Sequence, residues 1–141
     1  MSTTAIRLTA IGEPAYSEVL ACSPGAASAA RRLVSTALES WGIGELCDSA
    51  AQITSELATN AAIHTGCQTF RLVVERRTGR VRISAEDSAL DRFPSLRALD
   101  DRSLGGRGLH LVDALCDRWG YDLHPASKTV WAELRAPGEG G

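Results

Sequence analysis

The sequence has little of what marks membrane proteins, nucleic-acid-binding proteins or secreted proteins. Its 141 residues contain no apolar run near the roughly 18 residues that a membrane helix needs. Lys and Arg number 15 against 17 Asp and Glu, whereas a nucleic-acid-binding domain normally carries excess positive charge. The N-terminus has no basic segment leading into an apolar core, so it does not resemble a secretory signal. We therefore expect a cytoplasmic protein that binds neither nucleic acid nor membranes.

Closely spaced cysteine pairs are also missing. The four cysteines are far apart and form no C-x-x-C pair, whereas zinc sites and disulfide scaffolds use closer or denser cysteines. Each has small or apolar neighbours, and a free cysteine behaves as a small hydrophobic residue. We expect all four to be reduced structural residues: Cys22, Cys47, Cys67 and Cys116.

The length and a hydrophobic content of 44% are typical of one globular domain. We assign the domain to residues 1–136. Residues 137–141 consist of Pro, Gly and Glu without an apolar anchor, which predicts a frayed tail.

Two segments have the apolar spacing of three and four residues that predicts helices. The first begins with Ser23 as N-cap and Pro24 at the first helical position, and it ends at Gly42. The second extends from about Glu45 to Thr65. Their apolar stripes are Ala27, Ala30, Val34, Leu38 and Trp41 in the first, and Leu46, Ala50, Ile53, Leu57 and Ala61 in the second.

Alternating apolar and polar residues predict six strands. A polar stretch from Glu86 to Leu104 indicates a long loop, and a short helix carrying Leu109, Val112 and Cys116 follows it. Because strands and helices come in runs, the order predicts an α+β fold: a two-layer sandwich in which helices cover one face of a mainly antiparallel, mixed sheet. The predicted strands are Ile6–Ile11, Tyr16–Cys22, Thr69–Arg76, Arg80–Ala85, Arg118–His124 and Thr129–Leu134.

The most informative residues are Glu56, Asn60 and His64, which follow one another at intervals of four. On a helix this spacing places them in one polar row beside the apolar stripe. An amide oxygen on Asn60 suits Mg²⁺, and a carboxylate on Glu56 could polarise an attacking hydroxyl or water. From spacing alone, a solvated helix face remains the alternative. For His64, capping of the helix end is an equally good interpretation.

Two further elements could bind a nucleotide. The glycine cluster Gly105-Gly106-Arg107-Gly108 precedes the short helix, where backbone N–H groups and the Arg107 cation could hold phosphate. A flexible loop ending at a helix cap is the alternative. Asp87 follows a predicted strand, and its carboxylate could accept a hydrogen bond from an exocyclic amine such as that of adenine. Taken alone, it could equally be a turn residue.

In combination, these elements resemble the GHKL ATP-binding domain (Bergerat-type fold) of histidine kinases and related chaperones. The resemblance covers roughly residues 27–134. It is carried by Glu56-Leu57-Ala58-Thr59-Asn60-Ala61, Asp87 after a strand, Gly106-Arg107-Gly108-Leu109, Trp119-Gly120 and Lys128-Thr129-Val130-Trp131-Ala132. More narrowly, the sequence is similar to actinobacterial anti-sigma-factor serine/threonine kinases.

The resemblance implies a set of roles. Asn60 would hold Mg²⁺, Glu56 would be the catalytic base, and Asp87 would bind the adenine amine. The remaining ATP-binding residues implied are Thr59 near the phosphates, Gly105, Gly106, Arg107, Gly108 and Leu109 in the phosphate loop, and Thr129 near the base.

The implied activity is transfer of the ATP γ-phosphate to a serine or threonine of a partner antagonist protein. The alternative is a non-catalytic ATP-binding module that sequesters a sigma factor or another partner, and a plain ATPase is a third possibility. The sequence leaves open the identity of the partner and whether the chain forms a homodimer.

Overall fold

The computed structural model describes residues 3–8, 14–64, 69–87 and 115–136. In these residues six strands form one sheet in which all pairings are antiparallel. Two α-helices pack against this sheet. The α+β sandwich is thereby confirmed. The elements are β1 (Thr3–Leu8), β2 (Pro14–Ala21), α1 (Ala26–Ser40), a 3₁₀ turn (Gly44–Leu46), α2 (Cys47–His64), β3 (Thr69–Arg77), β4 (Arg80–Asp87), β5 (Arg118–His124) and β6 (Ser127–Arg135).

The sheet order β1-β2-β3-β4-β6-β5 places β4 directly beside β6. Their register sets Ile83 opposite Ala132 and Asp87 opposite Lys128. The last residue of β4 therefore lies next to the beginning of β6, at one end of the sheet. This arrangement positions the part of the candidate site that the strands contribute.

The hydrophobic core lies between the two helices and one face of the sheet. Successive strand residues point to opposite faces, so every second residue of the inner strands enters the core. The buried sheet residues are Leu20, Phe70, Leu72, Val74, Val81, Ile83, Ala85, Val130, Ala132 and Leu134; those of the helices are Ala26, Ala30, Leu33, Val34, Ala37, Leu38, Ala50, Ile53, Leu57, Ala58 and Ala61. Most of both predicted apolar stripes is buried here.

Helix α1 begins later than predicted and ends as predicted. Its N-cap is Gly25 and not Ser23, because the Ser23 carbonyl accepts the Ala26 N–H at 3.0 Å in a preceding turn. At the other end Gly42 has a φ of 75°, the left-handed conformation that glycine adopts without steric cost. Its N–H donates to Glu39, and the N–H of Ile43 donates to Leu38, which together form a Schellman motif.

Strands β4 and β6 extend further than predicted: β4 continues to Asp87, and β6 begins at Ser127, directly after a turn at residues 125–126. The added residues pair with one another. The Ser127 hydroxyl donates to the Glu86 carboxylate at 2.9 Å, and Asp87 faces Lys128. Because these residues are polar, the apolar alternation that located the strands does not include them.

Several predictions lie outside the described residues: the loop from residue 88 to 104, the glycine cluster, and most of the short helix after it. Among the described residues Cys22, Cys47 and Cys116 form no disulfide and are half-buried, while Cys67 falls outside. In the described part of the chain, no helix has the length and apolar character needed to cross a membrane.

Candidate nucleotide site

Helix α2 carries Glu56 and Asn60 along the border of its buried face. Their neighbours Ile53, Leu57 and Ala61 are buried, whereas Glu56 and Asn60 are half-buried. One helical turn separates the two side chains, which places their Cβ atoms about 6 Å apart. The predicted polar row therefore lies at the edge of the core. The side chain of His64, the third member of the row, lies outside the described part of the structure.

A hydrogen bond next to Glu56 helps to fix the orientation of α2 about its own axis. The Arg31 guanidinium on α1 donates to the Ser55 hydroxyl on α2 at 2.7 Å in a partly buried position. Since α2 also packs its apolar stripe into the core, this hydrogen bond adds a polar anchor on the side facing α1. Glu56 thus extends from a helix that is held in place on two sides.

The strands bring Asp87 together with Lys128, a residue that the sequence analysis did not assign to the site. They are opposite each other on β4 and β6, and Lys128 Nζ lies 3.9 Å from Asp87 Oδ2. Both side chains are almost completely buried, with exposed fractions of 5% and 2%. Extending the alternation of Val130, Ala132 and Leu134 by one step would place residue 128 on the same face, but the alternation does not show that β6 begins before Thr129.

Thr129 lies on the other face of the sheet. It is opposite Glu86, and directly opposite residues of an antiparallel pair share a face. Asp87 and Lys128 therefore point to the helix side and Thr129 points away from it. The structure does not bring Thr129 and Asp87 together.

Thr59 contributes to a separate cavity of about 380 Å³ at the beginning of α1. The cavity is enclosed by the turn of residues 22–24, by Ala26 and Ala27 of α1, and by Ala58 and Thr59 of α2. Thr59 is exposed there. Consecutive side chains of a helix point in directions about 100° apart, so Thr59 does not share the direction of Asn60. Neither Glu56 nor Asn60 lines this cavity.

The oxygen atoms on α2 fit Mg²⁺ better than a metal that needs a complete protein cage. Within the described residues no group of three or more His, Cys, Asp and Glu side chains is placed to hold a metal ion. One amide and one carboxylate on adjacent turns are a sparse set of hard ligands. Mg²⁺ keeps several waters and usually completes its shell with substrate phosphates, so it suits such a set.

Residues 20–134 match the family model of the histidine kinase-like ATPase domain. The chain belongs to this family. The ATPase domain match contains α1, α2, β3, β4, β5 and most of β6, so it covers the elements that carry Glu56, Asn60, Asp87 and Lys128. No curated protein matches the chain. Membership in the histidine kinase-like ATPase family supports an ATP-binding regulatory module, and it confirms the GHKL resemblance at the level of the family.

Proposed function

We propose that this protein is an ATP-dependent serine/threonine kinase of the anti-sigma-factor type, acting in the cytoplasm on a small antagonist protein. The observation that carries the proposal is the Glu56–Asn60 row, half-buried on an anchored helix of a histidine kinase-like ATPase domain. A carboxylate and an amide one turn apart can serve as the general base and as a Mg²⁺ ligand in phosphoryl transfer. The enzyme's further contribution is positioning and charge stabilisation.

In this proposal the nucleotide lies between α2 and the end of β4. Asn60 would hold Mg²⁺, which supplies neutralisation of the phosphate charge. Asp87 accepts a hydrogen bond from the adenine amine. The residues proposed near the phosphates are Thr59, Gly105, Gly106, Arg107, Gly108 and Leu109; Thr129 would influence the base only indirectly, through its strand.

Glu56 is proposed as the general base. Its carboxylate takes up the proton of the acceptor serine or threonine hydroxyl while that oxygen bonds to the γ-phosphorus. The bond from the γ-phosphorus to the bridging oxygen breaks, and ADP leaves with that oxygen. The products are a phosphorylated partner and ADP, and the proton stays on Glu56 until solvent removes it.

The test is phosphotransfer from γ-labelled ATP to purified candidate antagonist proteins, with the modified residue identified by mass spectrometry. Glu56→Gln keeps the size of the side chain but cannot take up a proton at neutral pH. Loss of a positioned base typically lowers a rate about 10²-fold to 10⁴-fold. We therefore expect Glu56→Gln to retain ATP binding and to lose most of the phosphotransfer.

Two matched control variants, Glu45→Gln and Gln52→Ala, sharpen this test. Glu45→Gln makes the same chemical change at an exposed position just before α2 and should transfer phosphate at the parental rate. Asn60→Ala should lower Mg²⁺-dependent ATP affinity itself, whereas Gln52→Ala, at an exposed position of the same row, should not. Undiminished transfer in Glu56→Gln would contradict the role of Glu56. ATP binding without transfer in the parent would favour the non-catalytic module that sequesters its partner.

A further inference from the structure

We infer that Lys128 is a specificity-determining residue of the nucleotide site, donating a hydrogen bond to the ring nitrogen N1 of adenine. N1 is adjacent to the exocyclic amine that Asp87 is proposed to bind. The inference rests on the proposed ATP site and adds to it a second group that recognises the base.

The first observation is the burial of Lys128. Only 5% of its side chain is exposed, although lysine is almost never fully buried unless its charge is paired. The register of β4 and β6 sets its strand position directly opposite Asp87, whose side chain is 2% exposed. A buried cation and a buried anion are thus held side by side at the end of the sheet.

The second observation is the distance within the pair. Nζ and Oδ2 are 3.9 Å apart, which is an ion pair but too long for a hydrogen bond. An ammonium group has three N–H donors and a carboxylate has only acceptors. The pair therefore presents a donor next to an acceptor, and the contact between them does not use up the hydrogen-bonding capacity of Lys128.

Adenine presents the complementary pattern. Its exocyclic N6 amine is a donor, and the adjacent N1 is an acceptor on the same edge of the ring. Enzymes that act on a base flipped out of a nucleic acid recognise this edge by hydrogen bonds. With Asp87 accepting from N6, the ammonium of Lys128 is the neighbouring donor for N1. Thr129, on the opposite face of the sheet, cannot provide that hydrogen bond directly.

Lys128 could instead have a structural role, as a counter-ion that stabilises buried Asp87. In that case its effect on nucleotide affinity would not depend on which atom occupies position 1 of the base. The experiment therefore compares Mg²⁺–ATP with Mg²⁺–1-deaza-ATP, in which a C–H group replaces N1 and the N6 amine remains. Calorimetric titration of the whole chain should give about 10-fold to 100-fold weaker binding of 1-deaza-ATP, the range expected for a hydrogen bond with a charged donor.

In Lys128→Met the two nucleotides should bind with nearly equal affinity, because the donor has been removed. Arg135→Met removes one positive charge at the exposed far end of β6 and should keep the parental ratio. The ratio is measured within each variant, so a smaller folded fraction does not change it. Lys128→Gln keeps a neutral donor and should show a reduced but measurable preference, which provides the same test if the Met variant does not fold.

Equal affinity of the parent for both nucleotides would overturn the role of Lys128 while leaving the ATP site intact. A parental preference that persists in Lys128→Met would also overturn it, since another group would then recognise N1. Failure of the parent to bind either nucleotide would contradict the proposed ATP site itself, so the two failures are distinguishable.

Discussion

Glu133 on β6 accepts a 2.8 Å hydrogen bond from the Arg82 guanidinium on β4, on the face of the sheet away from the helices. Arg118 on β5 donates to the other carboxylate oxygen at 2.6 Å, so three neighbouring strands are joined at this point. Glu133 is only 1% exposed. Arg82 also lies over the ring of Trp131, 4.1 Å from its centroid, which gives a cation–π contact.

This arrangement predicts a stability that decreases in acid. Burial raises the pKa of Glu133, but the hydrogen bonds from Arg118 and Arg82 outweigh burial, so the pKa lies below its ordinary value of 4.5. The folded state then binds the proton less tightly than the unfolded state does. The stabilisation is fully present above the unfolded-state pKa and is lost as the pH falls through the folded-state pKa.

Urea unfolding at a series of pH values checks this prediction. At neutral pH Glu133→Gln should lower the free energy of unfolding by about 1–3 kcal/mol, because hydrogen bonds to a charged group are replaced by weaker ones. The difference between parent and variant should shrink as the pH falls below the ordinary value of 4.5. Exposed Glu45→Gln is the control for loss of one carboxylate. A difference that stays constant with pH would contradict the prediction.

Gly120 on β5 provides a second prediction about this face. A Cβ atom at this position would lie 2.9 Å from Cζ2 of the Trp131 ring, closer than real Cβ contacts allow. Since Arg82 packs on Trp131, the ring cannot move without losing that contact. Gly120→Ala should lower the free energy of unfolding by about 1–3 kcal/mol.

The control for this substitution is Gly44→Ala. A Cβ atom there would lie 3.5 Å from Glu39, an ordinary van der Waals distance, and we expect a change within about 0.5 kcal/mol. Thermal or urea unfolding measures both variants. Equal stability of Gly120→Ala and the parent would show that Trp131 moves aside at little cost.

Features governed by local physics could be predicted from the sequence. Gly42 ends α1 because only a residue tolerant of positive φ completes the Schellman motif, and Gly79 similarly has a φ of 69° in the turn between β3 and β4. The apolar periods of α1 and α2 predicted their buried faces, because the spacing of side chains along a helix is also a local property. The Glu56–Asn60 row followed from helical spacing alone.

Features that depend on pairing between distant segments could not be predicted. The burial of Lys128 arises because β6 begins at Ser127 and is held there by Glu86, 41 residues earlier in the sequence. The predicted strand began at Thr129, so it did not include Lys128. It also did not show that Thr129 and Asp87 lie on opposite faces of the sheet. Glu133 resembles any surface glutamate until β4 and β5 bring arginines to it from both sides.

The last prediction concerns Asp87 and separates recognition of the base from binding of the phosphates. Asp87→Asn exchanges an acceptor-only carboxylate for an amide with donors, and it also removes the charge opposite Lys128. We expect ATP affinity to fall about 10-fold or more, since a hydrogen bond to a charged acceptor is lost. Inorganic tripolyphosphate, which has no base, should compete equally well in parent and variant.

Asp122→Asn makes the same substitution at an exposed residue opposite Thr129 and should bind ATP like the parent. Calorimetry with Mg²⁺–ATP, together with competition by tripolyphosphate, measures both effects. Equal ATP affinity in parent and Asp87→Asn would remove Asp87 from the site, and a parallel loss of tripolyphosphate binding would mean that the substitution perturbs the fold of the site as a whole.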